Sequence, residues 1–306
     1  IASLESNDTA LLRTAEVENL TFRSRVRSLP SAMTVAGSDS GGGAGVLVDI
    51  KTFSALGVFG TCALTAVTAQ NTRGVLEIHA VPPEVVRKQM VAVLEDIPMK
   101  VVKTGMLYSE ETVEVVAATI SKYELRVVVD PVICAGTGDP LISQEGREAL
   151  VRLLVPLASV VTPNVPEAET IANVRIKELD DMKDAAQRIA ELGAEAVIVK
   201  GGHIVQQRGR VYDVFYNNER FEVFEKRRLR TQPHGSGCVF SAAMAANLAK
   251  GLDPAEAAKK TEELVETSIK HSFKVGSGRV PVNPMACLYN DAEKFRTLAE
   301  VEEAAE

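Results

Sequence analysis

Between Ala32 and about Phe273, short apolar segments alternate with longer amphipathic ones, and this alternation restricts the possible fold more than any other feature of the chain. Such alternation is typical of a parallel sheet covered by helices on both faces, so we predict an α/β fold. The expected strands are Ala32–Gly37, Cys62–Thr68, Lys100–Thr104, Val127–Asp130, Ser159–Thr162 and Ala196–Lys200. The expected helices are Gly45–Ala55, Pro83–Glu95, Ser109–Tyr123, Gln144–Leu154, Asp180–Leu192, Cys238–Lys250 and Pro254–Phe273.

One stretch, residues 203–230, departs from this alternation. Two segments with strand character, Val211–Phe215 and Arg220–Phe224, flank the turn residues Asn217 and Asn218. This spacing is typical of a β-hairpin. We expect the hairpin to form a small antiparallel edge of the sheet.

The two ends of the chain differ from its centre. Residues 1–30 mix charged and apolar side chains, and we expect them to form a peripheral N-terminal extension. The periodic pattern then fills one domain, 31–278, and thins into a C-terminal tail over 279–306. A chain of this length can bury a large core.

Charge and cysteine content argue against several classes of function. The chain carries a formal net charge of −7, which does not suit a general binder of nucleic acid or anionic membranes. Its four cysteines are scattered without the spacing of a metal site, as is usual for free thiols in a reducing cytosol. No apolar segment reaches the length of a transmembrane helix. We therefore expect a cytoplasmic protein that binds a small molecule, not nucleic acid or a membrane.

Small or polar residues follow the predicted strands, at the edge where open α/β sheets bind ligands. These residues are Gly37-Ser38-Asp39, Gln70-Asn71, Gly105-Met106, Asp130, Asn164 and Lys200-Gly201-Gly202. A single polar residue at a strand end would carry little information. Because six strand ends agree, the sequence predicts a ligand site along this edge.

The stretch from His234 to Cys238 reads His-Gly-Ser-Gly-Cys and runs directly into an alanine-rich helix. Free backbone N–H groups at a helix start bind anions, and the helix dipole there favours a thiolate. An anion pocket with an ionisable group on its rim suits phosphoryl transfer. The alternative is a plain loop-to-helix junction with a small buried cysteine. No triad of a cysteine protease is visible around Cys238.

A second glycine-rich loop, Asp39–Gly45, precedes the first helix. It matches neither the dinucleotide fingerprint nor a Walker P-loop, so it indicates close approach of the backbone to a ligand or only a tight turn. In the helix that follows, Asp49 falls on the buried face. A buried carboxylate needs partners, so Asp49 is either a hydrogen-bond acceptor for a polar substrate or a paired structural residue.

Three oxygen-bearing residues follow neighbouring strands. Asp130 ends a run of valines, and Asn164 and Glu167 follow the next strand. Together they could hold Mg²⁺; a turn and an ordinary acid at a helix start are a serious alternative for Asn164 and Glu167. Lys200 ends another apolar strand, where it could reach nucleotide phosphates or simply extend its ammonium to solvent.

Seven motifs, taken in their order along the chain, carry a resemblance to a known family. They are Ala36-Gly37-Ser38-Asp39-Ser40-Gly41-Gly42-Gly43-Ala44-Gly45, Thr65-Ala66-Val67-Thr68-Ala69-Gln70-Asn71-Thr72-Arg73-Gly74-Val75, Lys103-Thr104-Gly105-Met106-Leu107, Val129-Asp130-Pro131-Val132, Thr162-Pro163-Asn164-Val165-Pro166-Glu167-Ala168, Val199-Lys200-Gly201-Gly202-His203 and His234-Gly235-Ser236-Gly237-Cys238. The chain resembles the hydroxymethylpyrimidine/phosphomethylpyrimidine kinases of thiamine biosynthesis, in the ribokinase-like superfamily. The segment Gly278–Pro284 resembles the junction in archaeal forms that carry a thiamine-phosphate synthase domain downstream. Because only a short remainder follows, that second domain is not expected here.

The resemblance implies a fold and an activity. The fold is a ribokinase-like three-layer sandwich with a central, mostly parallel sheet. The activity is ATP-dependent phosphorylation of 4-amino-5-hydroxymethyl-2-methylpyrimidine and then of its monophosphate, with ATP and Mg²⁺ as cofactors. Related kinases commonly form dimers, so a homodimer is expected. A pyridoxal kinase of the same family and a non-catalytic, pyrimidine-binding regulator are the alternatives.

The resemblance also implies a role for each matching position. The residues matched to the pyrimidine pocket are Gly37, Asp49, Gln70, Met106 and Val132. Cys238 matches the catalytic position, as the base that takes the hydroxymethyl proton, and the anion hole matches Gly235, Ser236 and Gly237. The residues matched to nucleotide contacts are Lys200, Asn164 and Thr231, and those matched to the metal are Asp130 and Glu167. Pro233 and the triplet Val46-Leu47-Val48 depart from the family pattern.

Overall fold

The computed structural model describes residues 29–135, 138–203, 209–229 and 233–288 of the 306-residue chain. Nearly all of the expected N-terminal extension, the end of the expected tail and Thr231 lie outside these residues. Contacts divide the chain at Pro30, and every element named below belongs to the second unit, Ser31–Glu306. Within the described ranges, no helix is long and apolar enough to cross a membrane.

An eight-stranded sheet forms the centre of the molecule, in the strand order β10-β9-β8-β7-β6-β5-β1-β2. Its strands are β1 (Ser31–Ala36), β2 (Phe59–Leu64), β5 (Val101–Thr104), β6 (Arg126–Val129), β7 (Ala158–Val161), β8 (Ala196–Lys200), β9 (Arg210–Asn217) and β10 (Arg220–Arg227). Strands β8, β7, β6, β5, β1 and β2 are parallel. β9 runs antiparallel to β8, and β10 antiparallel to β9. The predicted parallel sheet with an antiparallel hairpin at its edge is confirmed.

Helices cover both faces of this sheet. They are α1 (Gly45–Ala55), α2 (Pro83–Leu94), α3 (Glu110–Lys122), α4 (Gln144–Ala149), α5 (Val165–Ala172), α6 (Leu179–Glu191), α7 (Ser236–Ala249) and α8 (Pro254–Lys270). One core packs α2 to α6 on the sheet around Met90 and Met182, and the other packs α1, α7 and α8 around Phe53 and Met244. The molecule therefore has three layers, and α7 is nearly all apolar because it is buried on most of its surface.

Two predicted elements differ from the structure. The predicted helix Gln144–Leu154 changes its winding after Ala149 into a π-helical turn, Leu150–Leu154, followed by a 3₁₀ turn, Val155–Leu157. The helix α5 lies outside the predicted set because it is only eight residues long and has a proline, Pro166, in its first turn.

The predicted strand Cys62–Thr68 is wrong, because the chain leaves the main sheet after Leu64. The fully buried Thr65 fixes this bend: its Oγ1 donates to the carbonyl of Met106 at 2.6 Å. Beyond it, β3 (Ala66–Asn71) pairs with β4 (Gly74–Ala80) as a separate antiparallel ribbon. We call this ribbon, residues 66–80, the flap. The apolar run predicted the strand character but not the change of sheet.

The chain beyond Gly278 contributes to the fold as well. β12 (Val280–Pro281) pairs in parallel with β11 (Pro233–His234), and the backbone N–H of Val282 donates to the carbonyl of His234 at 3.1 Å. A 3₁₀ turn at Pro284–Leu288 then packs on α1 and α8. Part of the segment expected as a tail thus supports the strand that leads into α7.

Candidate active site

A cavity of about 950 Å³ lies at the carboxyl edge of the sheet. It brings together the predicted site residues Gly37, Gln70, Met106, Asp130, Val132, Asn164, Glu167, Lys200, Gly235, Ser236, Gly237 and Cys238. Asp49 is not on the cavity wall, and Thr231 lies outside the described residues. The prediction that the strand ends share one site therefore agrees with the observed geometry.

The start of α7 lies on the cavity wall, where an anion hole is expected. Gly235 precedes the helix with a φ of 81°, and no side chain caps the helix there. A Cβ on Gly235 would lie 1.8 Å from the carbonyl oxygen of Gly43. Glycine is thus required twice, for its backbone conformation and for the close approach of the two loops. The first N–H groups of α7 have no acceptor within the helix and are available to an anion.

We expect Gly235→Ala to lower turnover about tenfold in the phosphoryl transfer that the resemblance implies, because the two loops must separate and the N–H groups of α7 then shift. Gly251→Ala is the matched control. Gly251 also has a positive φ, of 89°, but no atom lies within 4 Å of an added Cβ. Both variants should lose some thermal stability, and only Gly235→Ala should lose turnover in steady-state assays. An equal loss of turnover in both variants would contradict this account.

A buried carboxylate joins the two glycine-rich loops. Asp39, 2% exposed, accepts hydrogen bonds from the backbone N–H groups of Gly41 at 2.8 Å and Gly43 at 3.2 Å. The ring Nε2 of His234 donates to the same carboxylate at 2.9 Å. Asp39 therefore shapes its own loop and holds the residue that precedes Gly235. Asp39 and His234 are positioning residues, and sequence reasoning gave neither of them this role.

Cys238 lies in the first turn of α7, on the cavity wall. Burial raises the pKa of its thiol to about 11, and the neighbouring ammonium of Lys103 lowers it only partly. The loss of hydration thus opposes the thiolate that the helix dipole is expected to favour. The resting side chain at neutral pH is the thiol.

A fully buried ion pair lies behind Cys238. The ammonium of Lys103 donates to Asp49 Oδ2 at 2.7 Å, and Thr34 Oγ1 donates to the same oxygen at 2.6 Å. Both charged side chains are 0% exposed, yet Lys103 reaches the cavity wall and Asp49 does not. Burial alone would lower the pKa of Lys103, but the carboxylates of Asp49 and Asp130 raise it, so the ammonium persists.

Sequence reasoning missed Lys103. The available signal was a lysine in the middle of β5, Val101–Thr104, a strand that is otherwise apolar or small and buried throughout. A lysine at such a position needs a carboxylate partner, and Asp49 on the buried face of α1 was the matching half. Asp49 is therefore a paired residue, which is one of the two alternatives that the sequence left open for it.

Acidic and basic groups meet at the ends of β6, β7 and β8. The Lys200 ammonium lies 3.4 Å from Asp130 Oδ1, and Ser241 Oγ donates to Asp130 Oδ2 at 2.9 Å. Glu167 and Asn164 form a capping box at the start of α5. Burial raises the pKa of Glu167 to about 7; Lys200 lowers it, and the charge of Asp130 raises it further.

The two carboxylates fit a magnesium ion. Mg²⁺ in kinases is usually held by one or two carboxylates, with waters and substrate phosphates completing its shell. Asp130 and Glu167 are both buried, the charge of Asp130 raises the pKa of Glu167, and a divalent cation would relieve that repulsion. No group of three ligating side chains occurs in the described part of the chain, so water and phosphate would have to supply the remaining ligands.

The opposite end of the cavity is apolar. Met106 packs with Ala66 and Leu141, and Val132 lies against them. An added Cβ on Gly37 would lie 2.9 Å from the Met106 sulfur, so only glycine leaves this methionine in place. Gln70 enters from the flap, where its backbone N–H donates to Ser40 Oγ at 2.8 Å. This arrangement suits a small planar ring with one polar edge.

A family model described as phosphomethylpyrimidine kinase matches residues 39–283. The chain belongs to this family. A hydroxymethylpyrimidine/phosphomethylpyrimidine kinase of Bacillus subtilis is 42% identical over 271 residues, which is 88% of this chain and 100% of the relative. The thiamine biosynthesis bifunctional protein ThiED of Geobacter sulfurreducens is 42% identical over 92% of this chain, but the chain spans only 58% of that relative's length.

Solved structures of similar kinases share the fold. A phosphomethylpyrimidine kinase from Clostridium difficile superposes with a TM-score of 0.71 at 38% identity, covering 78% of this chain and 99% of that one. A Bacillus subtilis pyridoxal kinase in an ADP complex gives a TM-score of 0.80 at 36% identity, covering 86% of this chain and 100% of that one. These matches confirm the family that the motifs predicted. They also confirm the α/β sandwich that the resemblance implied for this chain. The roles of individual residues stay predictions.

Proposed function

We propose that the chain phosphorylates 4-amino-5-hydroxymethyl-2-methylpyrimidine at its hydroxymethyl group with ATP, and then phosphorylates the resulting monophosphate, in thiamine biosynthesis. The observation that supports this most is a single cavity with two unlike ends. One end is apolar with the amide of Gln70 on its rim, and the other has the free N–H groups of α7 beside Cys238. Membership in the phosphomethylpyrimidine kinase family supports the choice of substrate.

At the apolar end, Met106 and Val132 would pack on the faces of the ring, and Gly37 leaves room for it. Gln70 would hydrogen-bond the polar edge of the pyrimidine. The expected direct contact of Asp49 with the ring is replaced in this proposal by Lys103, which stands between Asp49 and the cavity. Cys238 would accept the hydroxymethyl proton as the oxygen attacks the transferring phosphate.

At the other end, the N–H groups of Ser236, Gly237 and Cys238 would bind the charge that develops on the transferring phosphate. Lys200, Asn164 and Thr231 would contact the nucleotide. Asp130 and Glu167 would hold Mg²⁺, which offsets phosphate charge when it is bound. We include in the proposal a cytosolic location and a homodimer, on the basis of the free thiols and of the resemblance.

The test is a product analysis of the purified chain with ATP, Mg²⁺ and the hydroxymethylpyrimidine. We expect the monophosphate to form first and the diphosphate to follow, each with an equivalent of ADP. A regulator that only binds the pyrimidine would leave ATP unconsumed. Pyridoxal is the competing substrate, because kinases with that name share the fold. If pyridoxal is consumed with a higher kcat/KM than the pyrimidine in direct competition, the pyridoxal kinase assignment replaces ours.

A further inference from the structure

The turn of the flap is held by the segment that follows α8. The backbone N–H of Arg279 donates to the carbonyl of Thr72 at 2.8 Å, and the N–H of Gly278 donates to Thr72 Oγ1 at 3.1 Å. A Cβ on Gly278 would lie 2.1 Å from the Thr72 carbonyl oxygen, and one on Gly276 would lie 2.5 Å from Thr72 Oγ1. The two glycines therefore permit a close contact that fixes Arg279 against the flap.

The same segment is also joined to the strand that leads into the anion site. Val280 pairs with Pro233, and Pro281 pairs with His234. Arg279 is thus anchored at both sides of its α-carbon, to the flap that carries Gln70 and to β11 before Gly235. Arg279 therefore lines the same cavity as the predicted ring pocket and the predicted phosphate site.

Among the described residues, the guanidinium of Arg279 has no carboxylate as an ion-pair partner. Its side chain lines the cavity and is half-buried, and the described residues offer it no hydrogen-bond or ion-pair partner. Three lysines on the same cavity differ in this respect: Lys103 contacts Asp49, Lys200 contacts Asp130, and Lys226 contacts Asp213 and Glu262. Arg279 therefore keeps its charge and its five N–H donors for an anionic ligand.

We propose that Arg279 binds the phosphate of the phosphorylated pyrimidine when this monophosphate is the acceptor. The inference rests on the proposed function. The hydroxymethyl substrate is uncharged, whereas a phosphate monoester carries about −1.5 to −2 charges at neutral pH. It must approach the phosphates of ATP in a cavity whose carboxylates also repel it. A guanidinium binds such a group through two parallel hydrogen bonds, which favours the second acceptor over the first.

The test compares Arg279→Gln, Arg279→Lys and the wild type in each transfer separately. We expect Arg279→Gln to raise KM for the monophosphate, and its Kd without ATP by calorimetry, about tenfold or more. KM for the hydroxymethylpyrimidine and for ATP should stay within about twofold, and Arg279→Lys should recover part of the loss by restoring the charge. Arg73→Gln, which removes an exposed cation from the same flap turn, should change none of these constants.

Each outcome decides the matter. An unchanged Kd for the monophosphate in Arg279→Gln overturns the inference. So does an equal rise of KM for both acceptors, or a rise of KM for ATP as large as that for the monophosphate. A thermal unfolding curve of each variant shows whether weaker binding comes from a loss of folding. If Arg279→Gln is unfolded, the comparison of Arg279→Lys with the wild type is used instead. If the wild type phosphorylates neither pyrimidine, the proposed function fails instead.

Discussion

Replacing Cys238 by alanine is expected to slow transfer to the hydroxymethyl group by about 10²–10⁴-fold, the contribution of a positioned general base. The acceptor in this transfer is an alcohol, which must lose its proton as it attacks. In the second transfer the acceptor is a phosphate oxygen that is already ionised, so a base contributes little. In Cys238→Ala, the single-turnover rate of the first transfer should therefore fall strongly and that of the second should fall little, each measured with its acceptor at saturation.

The pH dependence of the two transfer rates is a second test of Cys238 as the base. Because burial holds the pKa of Cys238 near 11, the active thiolate is a small fraction at neutral pH and increases about tenfold per pH unit. The first transfer in the wild type should rise with pH up to about pH 10. The second should be nearly flat above pH 7, since the second pKa of a phosphate monoester is about 6. Cys238→Ala should abolish the rise.

Cys62→Ala is the control for this experiment, because Cys62 is an exposed thiol on β2 that does not line the cavity. It should leave both transfers and both pH profiles unchanged. Equal losses of the two single-turnover rates in Cys238→Ala would show that the thiol acts on the phosphate or on the fold, and not as a base for the alcohol.

Replacing Lys103 by methionine is expected to lower the free energy of unfolding by about 3–5 kcal/mol. The side chain keeps its size, but Asp49 is left as a charge that is 0% exposed, with Thr34 as its remaining donor. Asp49 Oδ1 has no partner even in the intact pair, so the carboxylate has no alternative contact to strengthen. Urea unfolding followed by circular dichroism measures the loss directly.

The double variant Asp49→Asn/Lys103→Met removes both charges and should recover much of this loss, because no unpaired charge remains. Lys88→Met provides a matched control. Lys88 is an exposed lysine that lies 3.9 Å from Glu84, and its loss should cost less than about 1 kcal/mol. If Lys103→Met and the double variant are equally destabilised, the cost comes from packing at Lys103 and not from the charge of Asp49.

Much of the fold could be predicted because its strongest signals are local. Buried parallel strands such as Val127–Val129 are apolar throughout, and the helices between them keep their 3.6-residue period. The break at Thr65 could not be predicted, because its cause is a hydrogen bond to Met106, 41 residues away. A short polar residue between two apolar runs gives no sign of which distant carbonyl will accept its hydrogen bond.

The candidate site was predicted in part for a similar reason. Residues at strand ends converge in any open parallel sheet, so Asp130, Asn164 and Lys200 could be placed together from order alone. The protonation state of Cys238 could not be predicted, since it depends on how much water reaches the sulfur and on Lys103 from β5. The pairing of His234 with Asp39, 195 residues away, is equally invisible in the sequence.

The protonated state of Cys238 has a consequence for the durability of the protein. Peroxide and alkylating reagents attack thiolates, and their rates fall with the thiolate fraction. A sulfur whose pKa lies near 11 is almost entirely a thiol at neutral pH and therefore resists oxidation and covalent capture. In the proposed function, burial of Cys238 therefore also protects the base from oxidation.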